Sequence, residues 1–247
     1  MTAIYDSIGS SYSRYRQPDR RIEGAIGRAL GGAARVANIG AGTGSYEHHG
    51  RDVVAVEPSR TMIAQRARTS APVVQAIAEC LPFGDAAFDA ALAVLTVHHW
   101  SDARRGLWEM RRIAPVQVVL TWDPAVAAKF WLIEEYLPSL AEFEQGLPTL
   151  AAICGELPVH DVQPVPVPWD CTDGFLGAYW RRPGRYLDPA ARGAISGLSL
   201  IDAHTVGAAM RELEGDIADG SWADRHRVLA DLSELDLGYR LIIAVDR

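Results

Sequence analysis

The sequence VANIGAGTGSYE, at residues 36–47, joins a short apolar run to three glycines that alternate with other residues. The run at residues 35–39 predicts a strand, and glycines directly after a strand let the backbone turn sharply and let a ligand approach the amides closely. Open parallel sheets bind ligands at the carboxyl ends of their strands. We therefore expect a ligand site at the loop that holds Gly40, Gly42 and Gly44.

A second signal is the acid that ends the next apolar run, DVVAV at residues 52–56. Glu57 stands where an acid accepts hydrogen bonds from ribose hydroxyls, so the two signals together predict a nucleoside-containing cofactor. The glycine spacing is GxGxG, and Ser45 stands where the dinucleotide fingerprint GxGxxG needs its third glycine. No Lys-Ser/Thr pair follows, which excludes a Walker loop.

The first half of the chain alternates short apolar runs with amphipathic ones. Besides the two strands above, we predict strands at residues 73–76, 88–94 and 116–122. Ser59 is predicted to cap a helix to about Arg68, and Ser101 another to about Ile113. This alternation predicts βαβ units with a parallel sheet, and the near-continuous apolar character of the strands indicates helices on both faces.

The second half is less regular. Residues 162–168 (VQPVPVP) carry three prolines that lack an N–H, so they predict an edge strand or a polyproline II stretch. The other expected elements are a helical region at residues 124–154 broken by Pro138 and Pro148, helices at residues 202–218 and 222–235, and a strand at residues 239–245.

Composition limits the function classes. The chain has 247 residues, of which 49% are hydrophobic and 22% charged, as in globular proteins. A net charge of −7 disfavours nucleic acid and anionic membranes as partners. The three cysteines are too far apart for a zinc or redox motif, and no metal site is predicted. With neither a signal peptide pattern nor an apolar run of about 20 residues, we expect a cytoplasmic protein.

Taken together, the segments resemble class I S-adenosylmethionine (SAM) dependent methyltransferases of the type-11 kind, which act on small molecules. VANIGAGTG resembles the first family motif, and VVAVEPSRTMIAQR at residues 53–66 resembles the second. AECLPFGDAAFDAALAVLTVHHW at residues 78–100 resembles the third and fourth, and MRRIAPVQVVLTW at residues 110–122 the segment that follows. The resemblance covers about residues 19–122, with the motifs in the family's order.

The resemblance implies an α/β fold of the Rossmann-like class I methyltransferase type. Its seven-stranded, mostly parallel sheet has the order 3-2-1-4-5-7-6 with strand 7 antiparallel, helices on both faces and a helical, aromatic substrate cap. We expect one domain over the whole chain, as a monomer or homodimer. Its parts are a cap segment at residues 1–30, a SAM-binding core at 31–123, an insertion with the cap at 124–186, and C-terminal helices with the last strand at 187–247.

The resemblance also assigns the cofactor, SAM, and the residues that hold it. Two positions depart from the family pattern: Asn38 is a neutral amide where an acid is common, and Ile77 replaces an aspartate that reads the adenine amino group. Glu47 either anchors the cofactor's amino group or favours the first turn of a helix through the helix dipole. The implied SAM-binding residues are Asn38, Gly40, Ala41, Gly42, Gly44, Glu57, Pro58, Met62, Ala78, Glu79 and Leu95.

Methyl transfer from SAM needs positioning more than a fixed set of catalytic groups, because the cofactor already activates the methyl group. His98 and His99 follow the strand at residues 88–94 and are candidate proton acceptors; alternatively they pack against or orient the loop. Tyr12 is a third candidate catalytic residue. His48 and His49 follow the glycine loop and either line the site or lie partly exposed on a helix.

Aromatic and arginine residues outside the sheet are the candidates for binding the methyl acceptor through stacking or cation–π contacts. Alternatively they form a covering layer or a dimer contact. We expect a small bacterial secondary metabolite with an aromatic or amine-bearing nucleophile. Two other functions stay open: an NAD-dependent oxidoreductase on a similar sheet, and a non-catalytic SAM-binding protein. The candidate acceptor-binding residues are Tyr5, Tyr15, Arg16, Trp100, Tyr179 and Trp180.

Overall fold

The computed structural model describes residues 12–47 and 50–246. Tyr5, His48 and His49 lie outside the described residues, and of Tyr12 only the backbone is described. The strands are β1 Arg35–Ile39, β2 Asp52–Val56, β3 Val73–Val74, β4 Ala90–Val94, β5 Val116–Trp122, β6 Val159–Pro164, β7 Val167–Pro168, β8 Glu234–Leu235 and β9 Tyr239–Val245. The helices are α1 Tyr12–Tyr15, α2 Arg20–Ala29, α3 Arg60–Ala64, α4 Ala103–Ile113, α5 Pro124–Ala127, α6 Pro138–Glu144, α7 Leu150–Glu156, α8 Pro189–Arg192, α9 Ala203–Ala218 and α10 Ser221–Arg225.

Seven strands form one sheet in the order β3-β2-β1-β4-β5-β9-β6. Strands β1 to β5 pair in parallel, and β9 is antiparallel to both β5 and β6. Because β9 is the last strand of this sheet along the chain, this is the predicted order 3-2-1-4-5-7-6 with its antiparallel seventh strand. Strands β7 and β8 form a separate pair.

The central strands are buried on both faces. Alternate residues of a strand point to opposite faces, and here Val36, Leu92 and Leu120 belong to one apolar cluster while Ile39 and Ala91 belong to the other. All five are at most 2% exposed. The continuous apolar character of the strands in the sequence therefore corresponds to a sheet covered on both sides.

Helix ends differ from the sequence-based expectations. Ser59 caps α3 by accepting from the Met62 amide, but α3 ends at Ala64. Asp102 is the N-cap of α4, because its side chain accepts from the Arg105 amide. These differences are of the size expected when a helix end depends on which side chain takes the cap position.

The region after β5 contains several short helices. Pro138 is the first residue of α6, where a missing N–H has no cost, and a π-helical segment at Leu132–Tyr136 precedes it. Of residues 162–168, only residues 162–164 form the edge strand, as the end of β6, which pairs with β9 on one side only. Val167–Pro168 form β7, which pairs with β8 in the separate sheet. The helix predicted at residues 222–235 is α-helical only in α10, and a 3₁₀ turn at Arg227–Asp231 and β8 follow.

The connection from β1 to β2 contains no helix in its described part, residues 40–47 and 50–51. Parallel strands usually need a crossover of a dozen or more residues with a helix. Here a loop of about that length makes the crossing, and Tyr46, 1% exposed, fills the space against the sheet. No described helix is both long and apolar enough to cross a bilayer.

Candidate active site

The glycine loop begins where β1 ends, and it lies against the strands next to β1. Gly40 and Ala41 donate their amides to the carbonyl of Val56 in β2, at 2.8 and 3.0 Å. Gly40 has a φ of +69°, and a Cβ at this position would overlap the side chain of Thr96, which follows β4. Only glycine therefore fits here without displacing the neighbouring strand connection.

Gly42 has a different environment. Its φ is +53°, and a Cβ there would meet no atom within 4 Å. Its amide donates to Glu57 Oε2 at 2.8 Å, and Glu57 Oε1 accepts from the Ser59 amide at 2.8 Å. Glu57 is 4% exposed, and its carboxylate thus fixes the loop after β1 to the start of α3.

A cavity of about 430 Å³ opens beside this loop at the carboxyl edge of the sheet, within the size range of small-molecule sites. Its lining runs from the glycine loop across β2 to the segment after β4. The buried Nδ2 atom of Asn38 belongs to this lining and has no hydrogen-bond partner among the described residues. The lining residues are Arg16, Asn38, Gly40, Ala41, Gly42, Thr43, Ser45, Tyr46, Glu57, Pro58, Met62, Ala76, Ile77, Ala78, Glu79, Val94, Leu95, Thr96, His99, Trp100 and Ser101.

The loop after β3 closes one side of this cavity. Ile77 is 50% exposed and lines the cavity, as Ala78 does. The carboxylate of Glu79 accepts from the Ser101 hydroxyl at 2.8 Å and from the Asp102 amide at 3.1 Å, so it fixes the loop to the start of α4. An apolar wall with backbone groups beside it suits a flat base more than a charged group.

A second, smaller cavity of about 80 Å³ adjoins the first. The two cavities share three lining residues, Arg16, Leu95 and His99. Leu95 has a φ of +49°, a conformation that non-glycine residues seldom adopt and that clusters at functional sites. The lining of the second cavity consists of Arg16, Leu95, His98, His99, Trp122, Ala127, Leu140, Phe143, Leu147, Phe175, Leu176, Ile195, Ser196, Gly197, Leu200 and Tyr239.

A cavity at this edge of the sheet suits either SAM or NAD, and comparison with known proteins decides between these two cofactors. The model of a methyltransferase domain family matches residues 37–116. The crystal structure of a putative methyltransferase from an antibiotic biosynthesis pathway of Anabaena variabilis is 32% identical to this chain. The alignment covers 94% of this chain and all of that one, with a TM-score of 0.87. The chain belongs to the class I SAM-dependent methyltransferase family.

More distant structures share the fold. A geranyl diphosphate C-methyltransferase from Streptomyces coelicolor, solved with S-adenosyl-L-homocysteine (SAH), is 14% identical over 92% of this chain and 78% of its own, with a TM-score of 0.53. A SAM-dependent methyltransferase from Thermotoga maritima, described as a possible histamine N-methyltransferase, is 23% identical over 67% of this chain and 86% of its own, with a TM-score of 0.51. No functionally curated protein matches this chain.

The cofactor of this family is SAM, and the larger cavity has the residues to hold it. Ten of the eleven residues predicted to bind SAM line this cavity. The exception is Gly44, which turns the loop behind it by donating to the Ala41 carbonyl at 2.9 Å. We call the larger space the cofactor cavity and the smaller one, after the role proposed below, the acceptor cavity.

Glu47 lies outside the lining of both cavities and follows neither of the two interpretations given above. It forms an ion pair with Arg66 and accepts the Ala71 amide at 2.8 Å. Both charged side chains are nearly buried. Because the described part of this connection has no helix, the carboxylate fixes the loop to the segment after α3 instead.

The two candidate histidines occupy the junction of the cavities. His98 contacts His99 in a tilted arrangement, with ring centroids 3.7 Å apart, and meets the Trp122 ring edge-on at 4.5 Å. Burial lowers the pKa of His98 well below its usual value, with smaller contributions from His99 and Arg16. Burial, and then Arg16, lower the pKa of His99 to about 4. Both imidazoles are therefore neutral at pH 7, and His99 is a weak base.

Arg16 is held at this junction by a buried ion pair. Its Nε lies 2.5 Å from Oδ1 of Asp173, which is fully buried. The other carboxylate oxygen accepts from the Tyr46 hydroxyl at 2.9 Å. The Gly174 amide donates to the Tyr15 carbonyl at 2.8 Å, which joins the N-terminal segment to the cap beside the glycine loop. Neither Asp173 nor Tyr46 was a predicted site residue, since Asp173 stands in no recognisable motif and Tyr46 follows the glycines of the loop.

The other residues predicted to bind the acceptor lie elsewhere. Trp100 lines the cofactor cavity. The Tyr15 hydroxyl donates to Asp188 Oδ2 at 3.0 Å, and its ring packs near Met62. Tyr179 and Trp180, expected at the acceptor pocket, are buried in the core away from both cavities.

Hydrogen bonds explain the position of Trp180. Its Nε1 donates to the Val167 carbonyl at 2.9 Å, and its own carbonyl accepts from Trp131 Nε1 at 2.8 Å. The covering-layer alternative given for these aromatics therefore describes Trp180. The structure instead places Phe175 of the same aromatic segment at the acceptor cavity, together with Ile195 and Leu200, which carried no sequence signal.

Proposed function

We propose that the protein transfers a methyl group from SAM to a small molecule bound in the acceptor cavity. The observation that carries this proposal is the shared boundary of the two cavities at Arg16, Leu95 and His99. A molecule in the smaller cavity would be held against whatever occupies the larger one. This is the arrangement that a displacement between two bound partners needs.

The chain's own residues act mainly by binding and orienting. SAM, when bound, supplies a methyl group already activated on sulfur. Glu57 offers a carboxylate for ribose hydroxyls, and Asn38 offers the amide whose Nδ2 lacks a partner. The apolar lining around Phe175 and Ile195 excludes water from the acceptor. A neutral His99 with a low pKa serves better as a packing and hydrogen-bonding group than as a proton acceptor.

A role in secondary metabolism is also part of this proposal. It is supported by the Anabaena relative, which is described as belonging to an antibiotic biosynthesis pathway and is matched over its whole length. The acceptor cavity is small and mostly apolar, which suits a small organic molecule better than a protein or nucleic acid segment.

The test is calorimetric titration of the purified protein with SAM, SAH and NAD in parallel. We expect micromolar binding of SAM or SAH and no heat from NAD. A Glu57→Ala variant should lose this binding, whereas Asp52→Ala should keep it, because Asp52 is exposed and lies outside both cavities. Binding of NAD alone would overturn the proposal. If the protein binds SAM but forms no SAH with any acceptor tested, its function is that of a non-catalytic SAM-binding protein.

A further inference from the structure

The acceptor cavity has an unusual charge pattern for a site beside a cationic cofactor. Within residues 12–47 and 50–246, Arg16 is the only permanently charged residue in its lining, and no carboxylate lines it. The two histidines there are neutral at pH 7, because their pKa values are lowered. Among the described residues, the acceptor therefore meets one cation and a mostly apolar wall.

The carboxylate that pairs with Arg16 stands outside the cavities. Asp173 lines neither cavity, whereas Arg16 lines both. Asp173 also accepts from the Tyr46 hydroxyl, so its negative charge is shared between two donors. The arrangement presents the cationic side of the pair to the acceptor. The lowering of both histidine pKa values by Arg16 is consistent with a positive potential at the junction.

Trp122, which lines the same cavity, carries an uncharged donor. Its indole Nε1 is buried and has no hydrogen-bond partner among the described residues, and the residue lines the acceptor cavity. An indole N–H can only donate, so it can pair with an oxygen acceptor and not with an ammonium group. A buried donor without a partner is costly, and a ligand oxygen would relieve that cost.

We propose that the acceptor carries an anionic oxygen, as a carboxylate, phenolate or enolate does, and directs it toward Arg16 while a small apolar body fills the acceptor cavity. The inference rests on the proposed methyltransferase function and narrows its acceptor, leaving protonated amines out. The cavity volume of about 80 Å³ limits the buried body to no more than about one ring.

An anionic oxygen also removes the need for a base at the junction. Its proton has already left to solvent when the acceptor binds, and Arg16 favours that ionised form. The oxygen lone pair forms the new oxygen–carbon bond while the sulfur–carbon bond breaks, and that bond's electron pair stays on sulfur. Arg16 is then a residue that binds the acceptor, and His99 supports the junction by packing.

Three molecules with the same phenyl group test this charge preference. Phenylacetate is an anion, 2-phenylethanol is neutral and 2-phenylethylamine is a cation at pH 7.5. Each is titrated into protein saturated with SAH. We expect phenylacetate to bind about tenfold more tightly than 2-phenylethanol, the difference that one charge-assisted hydrogen bond supplies, and 2-phenylethylamine to bind most weakly.

Variants assign the preference to Arg16. Arg16→Gln should reduce phenylacetate binding to the level of 2-phenylethanol, and Arg16→Lys should keep part of the difference. Arg181→Gln is the control, because this arginine lies outside both cavities. SAH affinity is measured for each variant separately, since Arg16 also lines the cofactor cavity. If Arg16→Gln does not fold, the order of the three probes on the natural protein still decides.

The outcomes separate the two proposals. Failure of the natural protein to bind SAH would refute the methyltransferase function itself. SAH binding with 2-phenylethylamine bound as tightly as phenylacetate, or with no probe bound, would overturn the anionic acceptor and leave the methyltransferase function standing.

Discussion

The two cavities differ in how the chain builds them. Apart from Arg16, every residue that lines the cofactor cavity lies within residues 38–101, at the ends of β1 and β4 or in the segments that follow β1, β2, β3 and β4. The acceptor cavity draws residues from Arg16 to Tyr239, including short helices and turns of the cap. A site made from one sheet edge leaves motifs in the sequence, whereas a site assembled from distant segments does not. The predictions below test this difference.

The largest effect is expected where the two regions are joined. Asp173→Ala would leave the guanidinium of Arg16, itself 11% exposed, without its buried partner and remove the acceptor of the Tyr46 hydroxyl. Breaking a buried pair in this way costs about 3–5 kcal/mol of unfolding free energy. Asp170→Ala is the control, because its pair with Arg21 is about half exposed and contributes about 1 kcal/mol or less. Urea denaturation of both variants measures the difference, and equal losses would contradict a special role for Asp173.

The second effect is a loss of stability in acid from the histidines at the junction. Burial lowers the pKa of His99 from 6.5 to about 4, so the unfolded chain binds a proton that the folded one does not between these pH values. The unfolding free energy should therefore fall as the pH drops below 6.5, by on the order of 3 kcal/mol from His99 by the time the pH is below 4. Denaturation at pH 7.5, 5.5 and 4.5 should show a smaller decrease for His99→Gln. The same decrease in variant and natural protein would exclude His99 as its source.

The third prediction concerns the cofactor cavity alone. Glu57→Ala removes a carboxylate that accepts two backbone amides and faces the cavity. Hydrogen bonds to a charged group contribute about 1.5–3 kcal/mol, so SAH affinity should fall by roughly 10- to 100-fold. Calorimetry with SAH measures this, and the fold should persist in circular dichroism. Unchanged SAH binding would remove Glu57 from the cofactor site.

The smallest effect separates the core from the acceptor cavity. Trp180→Phe loses the hydrogen bond to the Val167 carbonyl in a fully buried position, for about 1–2 kcal/mol of stability. The affinities for SAH and phenylacetate should not change, because Trp180 lines neither cavity. Trp122→Phe is the matched variant. It should lower the affinity for phenylacetate, because Trp122 lines the acceptor cavity. A drop in phenylacetate affinity for Trp180→Phe would restore the prediction that Trp180 binds the acceptor.

The sequence sufficed for the strands and for a nucleoside-containing cofactor because both depend on local pattern. Strands β1, β2, β5 and β9 have the predicted bounds, and the alternation of apolar and amphipathic runs carries their positions along the chain. The sheet order and the choice of SAM followed from the family resemblance, and the observed order agrees with it. The glycine loop and Glu57 adjoin strand ends, so their place at the sheet edge follows directly from the strands.

The acceptor side could not be predicted in the same way. Trp180 and Phe175 are both aromatic residues of one short segment, yet Trp180 is in the core and Phe175 lines the cavity. Which of them faces a ligand depends on how the cap packs on β9, and no periodic pattern records that packing. Similarly, the role of Asp173 depends on a partner 157 positions away in the chain. Long-range pairs of this kind become visible only in three dimensions.

The most direct test of the two-cavity account is a crystal structure of the protein with SAH and phenylacetate. The account predicts SAH in the cofactor cavity beside the glycine loop and Glu57, with the phenyl ring among Phe175 and Ile195 and its carboxylate within hydrogen-bond distance of Arg16. SAH bound elsewhere, or phenylacetate outside the acceptor cavity with Arg16 untouched, would contradict it.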